Sequence, residues 1–237
     1  MHSPIHRLWQ AIIVGLVALV CTQGVAAAWS EPYAEITGAD RCPVQVDVMI
    51  DAGHGGVDGG ASYGRVLEKD LNLAIARRLY RTLQERGYRT ILNRDRDVAL
   101  SEENEWHRVS SRHLRDLSQR KHLAMTVRPK LLLSLHMNVS RDPRDRGPWV
   151  IYQHNRISYE AATIVQHHLN RLYDMQQVAR MGKPYYLLRQ DLVPAMIVEM
   201  GFISNPQDRS WLMTPHGQEQ MAAALGDAMD EIFYLMY

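Results

Sequence analysis

One junction in this sequence constrains the fold more than any other feature. Val44, Val46, Val48 and Ile50 alternate with Gln45, Asp47 and Met49, and the run then enters the glycine-rich segment DAGHGGVDGGA. Beyond it Leu71, Ile75, Leu79 and Leu83 recur every four residues as far as Gly87. A period of two predicts a strand, a period near 3.6 an amphipathic helix with a glycine stop, and the glycines between them a sharp loop. A helix of that kind must bury its apolar stripe against another element.

The rest of the chain repeats the theme. Strands are predicted over Tyr88 to Asn93, Leu131 to Leu135, Trp149 to Gln153, Tyr185 to Leu188 and Ala195 to Val198, and helices over Ser110 to Met125 and Tyr159 to Tyr173. Thr214 and Pro215 open a last helix whose Met221, Leu225, Met229 and Ile232 form a buried stripe. Alternating strands and helices imply an α/β fold: a single domain with a mostly parallel mixed sheet and helices on both faces. At 237 residues, 46% of them hydrophobic, the chain can bury one such core. Its formal net charge of +1 provides no field to gather nucleic acid or anionic lipid, so no nucleic-acid partner is expected.

The first 28 residues read as a signal peptide or an N-terminal anchor. His2, His6 and Arg7 precede the apolar run Ala11 to Cys21, and Ala26, Ala27 and Ala28 suit a signal peptidase. The apolar run is short for a spanning helix, which wants roughly 20 residues, but Leu8 and Trp9 extend it, so retention stays open. Membrane contact is expected only through this segment if it is uncleaved. Val20 is bulkier than lipid attachment at Cys21 normally tolerates. Residues 29–42 read as a linker and residues 43–237 as the folded domain. After cleavage Cys42 is the only thiol, so no internal disulfide is expected and nothing near it suggests catalysis.

Three polar residues stand just past apolar runs: His54, His136 and Glu199. In an open α/β sheet the carboxyl ends of strands line the ligand crevice, so the three can converge, with Glu68 joining from the first turn of the helix after the glycine loop. Two imidazoles and a carboxylate are a common ligand set for hydrolytic zinc, and a second carboxylate would serve as base. Each residue also has a plainer reading. A first-turn Glu is favoured by the helix dipole alone, and His54 is at home as an ordinary loop residue. His136 and Glu199 are costly to leave unpaired at the ends of apolar runs. Spacing alone does not decide.

Four ordered motifs do more: IDAGHGGVDGGA, EKDLNLAIARRL, LLLSLHMNVS and VPAMIVEMGFISNPQD. Together they resemble the zinc-dependent N-acetylmuramoyl-L-alanine amidases, from about Val46 to the C-terminus. The resemblance implies zinc held by His54, Glu68 and His136, Glu199 as the catalytic carboxylate, and hydrolysis of the amide between N-acetylmuramic acid and L-alanine in bacterial peptidoglycan. The substrate implied is glycan strands with peptide stems, cut outside the cytoplasmic membrane in the cell or spore envelope. The long segment Ser101 to Met125 and the single-domain length are similar to the CwlD-type amidases of spore cortex, which implies a role in cortex processing through muramic-lactam formation and in germination.

Met137 stands where relatives often carry a small residue and is expected to alter the pocket wall. Only a short link joins Asp174 to Tyr185, so an inhibitory helix of the kind found in cell-division relatives is not expected there. No wall-binding repeats are expected, which leaves recruitment to the N-terminal segment, to local substrate contacts or to a protein partner. The arginines from Arg108 to Arg120 read as a solvated helix face, with contact to acidic stems or a partner as the other reading. His107, His113, His122, His167 and His168 read as surface residues. Two further functions remain as alternatives: a metal-dependent peptidoglycan deacetylase, and a non-catalytic wall-binding protein on the same fold.

Overall fold

A computed structural model describes residues 45–104, 107, 109–182, 185–190 and 192–237. The expected signal segment, the linker and Cys42 lie outside the described residues.

The first junction folds as expected. Strand β1 (Val48–Ala52) enters the glycine loop, a small hairpin of β2 (Ser62–Tyr63) and β3 (Val66–Leu67) follows, and α1 runs over Glu68–Glu85. After β4 (Thr90–Leu92) comes α2 (Arg112–Val127), where the Ser111 side chain caps the first turn by accepting from Leu114 N. Next are β5 (Leu131–Asn138), β6 (Trp149–Tyr152) and α3 (Arg156–Tyr173), capped by Asn155. The chain finishes with β7 (Arg180–Met181), β8 (Ala195–Phe202), α4 (Pro206–Leu212) and α5 (Pro215–Met236), the last capped by Thr214.

Six strands form one sheet in the order β4-β1-β5-β8-β6-β7. The first four are mutually parallel, β6 runs antiparallel to β8, and β7 runs parallel to β6. The sheet is therefore mixed and mostly parallel. Its two faces are buried by alternate residues. Leu131, Leu133 and Leu135 join Val48, Ile50 and Val198 beneath α1, α3 and α5. Leu132, Met49, Ile151 and Ile197 lie on the other face with Ala124 of α2. Each fully buried leucine contributes roughly 1.5–3 kcal/mol relative to exposure. Because both faces are covered, the central strands read as near-continuous apolar runs.

Two expectations are corrected. Tyr185 to Leu188 is not a strand: Tyr186–Arg189 is a single 3₁₀ turn, which lets consecutive Leu187 and Leu188 both enter the α2-side core, where a strand would send them to opposite faces. Strands β5 and β8 also extend beyond the apolar runs, so His136 and Glu199 lie within strands and not past them. Among the described residues no helix is long and apolar enough to cross a membrane.

Candidate active site

The parallel register of β5 and β8 pairs His136 directly with Glu199. Alternation puts both on the α2-side face, where Leu132, Ala195 and Ile197 also point. His54 comes to them from the loop after β1. It holds a left-handed backbone (φ 59°), a conformation that costs a non-glycine residue roughly 1–2 kcal/mol.

Two buried arginines hold that turn. Arg120 of α2 donates to the carbonyls of Ala52 and His54 and is ion-paired with Asp51 and Asp116. Arg94 donates to the carbonyls of Ala52, Gly53 and Lys69. Arg120 therefore does not belong to the solvated helix face expected for its stretch; its charge is satisfied inside the domain. Arg112, by contrast, is exposed, and Arg108 lies outside the described residues.

Two glycines let the backbone come close enough. A Cβ on Gly53 would sit 2.3 Å from the His136 ring, and one on Gly60 would sit 2.6 Å from Glu68 Oε2 and 2.7 Å from the His54 ring. Glu68, the first residue of α1, is thereby buried between the imidazoles. Its Oε2 accepts from Ala61 N (2.7 Å), and its Oε1 accepts from Met137 N (3.0 Å). Oε1 also lies 3.0 Å from His136 Nδ1 and 3.3 Å from His54 Nε2.

The three ligand atoms of His54, Glu68 and His136 all lie within 4.8 Å of one another, a group able to hold a metal ion. Nitrogen and oxygen ligands about 2.0–2.2 Å from a tetrahedral zinc stand about 3.3–3.6 Å apart, near the 3.0 and 3.3 Å that separate Glu68 Oε1 from the two imidazoles. The donor set therefore fits a metal ion.

Electrostatics agree with a site built for a cation. Burial works against protonating His54, but carboxylates on both of its ring nitrogens, Asp58 at Nδ1 (2.9 Å) and Glu68 at Nε2, outweigh it and push the imidazole up to about 10. Burial alone would raise the Glu68 carboxyl; the two histidines hold it well below the usual carboxylate range. Glu199 is displaced the other way. Burial and the nearby Glu68 charge raise its carboxyl against the attraction of His136 and His54. Its Oε2 is buried and accepts no hydrogen bond among the described residues.

All four expected site residues therefore converge, while other readings change. Met137 does not line the pocket: strand alternation turns its side chain into the opposite core, and only its backbone N–H reaches Glu68. His122 is half-buried and His168 pairs with Glu231, so these two are not simply surface histidines, whereas His113 is exposed as expected, 3.7 Å from Asp58. Asp58, which anchors His54, was missed in the sequence; its place four residues after a candidate ligand, in a loop rich in glycine, was the available signal.

Comparison with known proteins follows the same lines. Residues 48–231 match the profile of a family described as N-acetylmuramoyl-L-alanine amidase. The chain is 33% identical over 180 residues to the germination-specific N-acetylmuramoyl-L-alanine amidase of Bacillus subtilis, covering 75% of this chain and 76% of that protein. It is 28% identical to the probable cell wall amidase LytH of Staphylococcus aureus over 78% of this chain and 58% of LytH. Among solved structures, the CwlD amidase from Clostridioides difficile, determined in complex with the GerS lipoprotein, superposes with a TM-score of 0.75 at 26% identity, over 81% of this chain and all of that one. A profile match spanning the whole sheet and both flanking helix layers, with His54, Glu68, His136 and Glu199 gathered at the carboxyl end of the central parallel strands, means that the chain belongs to the N-acetylmuramoyl-L-alanine amidase family.

Proposed function

We propose that His54, Glu68 and His136 hold a zinc ion and that Glu199 is the general base in hydrolysis of the amide joining N-acetylmuramic acid to L-alanine. The observation that carries this reading is the Glu199 carboxylate, buried with an unpaired oxygen beside a His-Glu-His set whose spacing suits zinc. When bound there, zinc supplies Lewis acidity, polarising the amide carbonyl and making water acidic enough to attack near neutral pH.

The chain's own residues do the rest. Asp58, being an ionised acceptor, keeps the proton of His54 on Nδ1 and turns Nε2 toward the ligand set. Glu199 takes the proton of the attacking water, and its raised pKa suits it to keep that proton until the L-alanine amine leaves and accepts it. The arginine-held turn keeps His54 aimed throughout.

The relatives also support a setting. Similarity to a germination-specific amidase and to CwlD supports spore cortex as the substrate, and similarity to a cell wall amidase supports export to the envelope. The CwlD–GerS complex supports a protein partner for recruitment or activation. Metal analysis and digestion of purified peptidoglycan test the core of the proposal. About one zinc per chain and new L-alanine amino termini are expected, abolished by chelation and restored by zinc. Release of acetate without new amino termini would replace this reading with a deacetylase, and no product from the zinc-loaded protein would favour a wall-binding protein.

A further inference from the structure

The site continues along the sheet. His136, Glu199 and Trp149 stand in one row across β5, β8 and β6, and Arg180 of β7 lies on the same face one row away. Glu199 pairs in register with Trp149, and Arg180 pairs with Ile151, two residues along β6 from Trp149 and on its face. Arg180 lays its guanidinium over the indole of Trp149, 3.5 Å from the ring centroid, and Phe202 meets the same indole edge-on.

We infer that Arg180, held flat on Trp149, binds a carboxylate of the peptide stem beyond the L-alanine. The inference rests on the amidase reading and names the part of the substrate that the β6–β7 side of the site recognises. A guanidinium stacked on an aromatic ring uses its face and leaves its in-plane N–H groups free, which is the geometry for gripping a carboxylate with two parallel hydrogen bonds. Arg180 is exposed and has no acidic partner among the described residues, unlike the satisfied Arg120, Arg94 and Arg86. Its stacked position is also set in advance, so little side-chain freedom is lost on binding.

The spacing fits a peptide. Two strand separations place β7 roughly 10 Å from β8, about the span of three residues of extended chain. A stem whose scissile amide lies at Glu199 therefore carries its next carboxylates within reach of Arg180. Trp149 is not placed to stack a sugar on the face that Arg180 covers.

The test uses the zinc-loaded protein and two matched preparations of glycan strands, one with free stem carboxylates and one with those carboxylates converted to primary amides. Wild type should cleave the free form with a kcat/KM roughly 10- to 100-fold higher, the difference residing in KM. Arg180→Gln should bring that ratio close to one, and Arg180→Lys should keep part of it, while zinc content and Tm stay unchanged in both. A wild-type ratio near one, or a ratio that survives Arg180→Gln, overturns the inference while leaving the amidase reading intact. Failure of the wild type to release L-alanine amino termini from either preparation sinks both.

Discussion

Asp58→Ala isolates the contribution of one hydrogen bond to metal affinity. In the structure the Asp58 carboxylate accepts from His54 Nδ1 at 2.9 Å and from Gly60 N at 3.1 Å, so its removal frees the imidazole to change tautomer and to swing away from Glu68. Losing an anchoring carboxylate of this kind typically weakens metal binding about 10- to 100-fold, or about 1.4–2.7 kcal/mol. Asp58→Asn keeps an acceptor oxygen and should recover much of the loss. Competition against a chromophoric chelator measures the zinc Kd, and thermal unfolding of the zinc-free proteins controls for damage to the loop. The reasoning fails if Asp58→Ala binds zinc as tightly as wild type, or if Asp58→Asn is as weak as Asp58→Ala.

Zinc uptake should release protons, because the His54 imidazole, pushed up to about 10, is charged at neutral pH and must give up the proton on Nε2. Calorimetry in buffers of differing ionisation enthalpy should show this release, with affinity rising as pH rises. Acid stability has an identifiable contributor in Asp47. Burial raises its carboxyl, but Arg89 and Lys130 bring it down to about 2, so the stabilisation is complete above its ordinary value of 3.8 and is lost as pH falls through about 2. Asp47→Asn should flatten the stability-versus-pH curve over that window, as read by denaturant unfolding. Leu133, fully buried in β5 under the helix layer, should cost about 2–5 kcal/mol on replacement by Ala, measured by the same unfolding experiment.

The elements that carry their own periodicity were legible in the sequence. Helix α1 followed from Leu71 to Leu83, and the last helix from Thr214, Pro215 and its methionine stripe, because each pattern has only one good local solution. His136 and Glu199 stood out because ionisable groups ending apolar runs are expensive to bury. Their pairing across β5 and β8 was not legible, since register depends on strands about 60 residues apart. The same holds for Arg120, whose partners Asp51 and Asp116 turn an apparent surface arginine into a buried support for His54. Met137 was a different case. With His136 facing the site, strand alternation already dictates that its neighbour points away, and applying that rule would have kept Met137 out of the pocket.

The central claim is that binding and chemistry are divided between His54, Glu68 and His136 on one side and Glu199 on the other. Glu199→Gln tests it most directly, with zinc content, Tm and turnover measured on the same preparation. The amide keeps the shape of the side chain but cannot take a proton from water. Zinc content and Tm should remain close to wild type while turnover falls by roughly two to four orders of magnitude. Loss of zinc together with a lower Tm would show that Glu199 is a metal ligand, and turnover near the wild-type rate would remove it from the chemistry altogether.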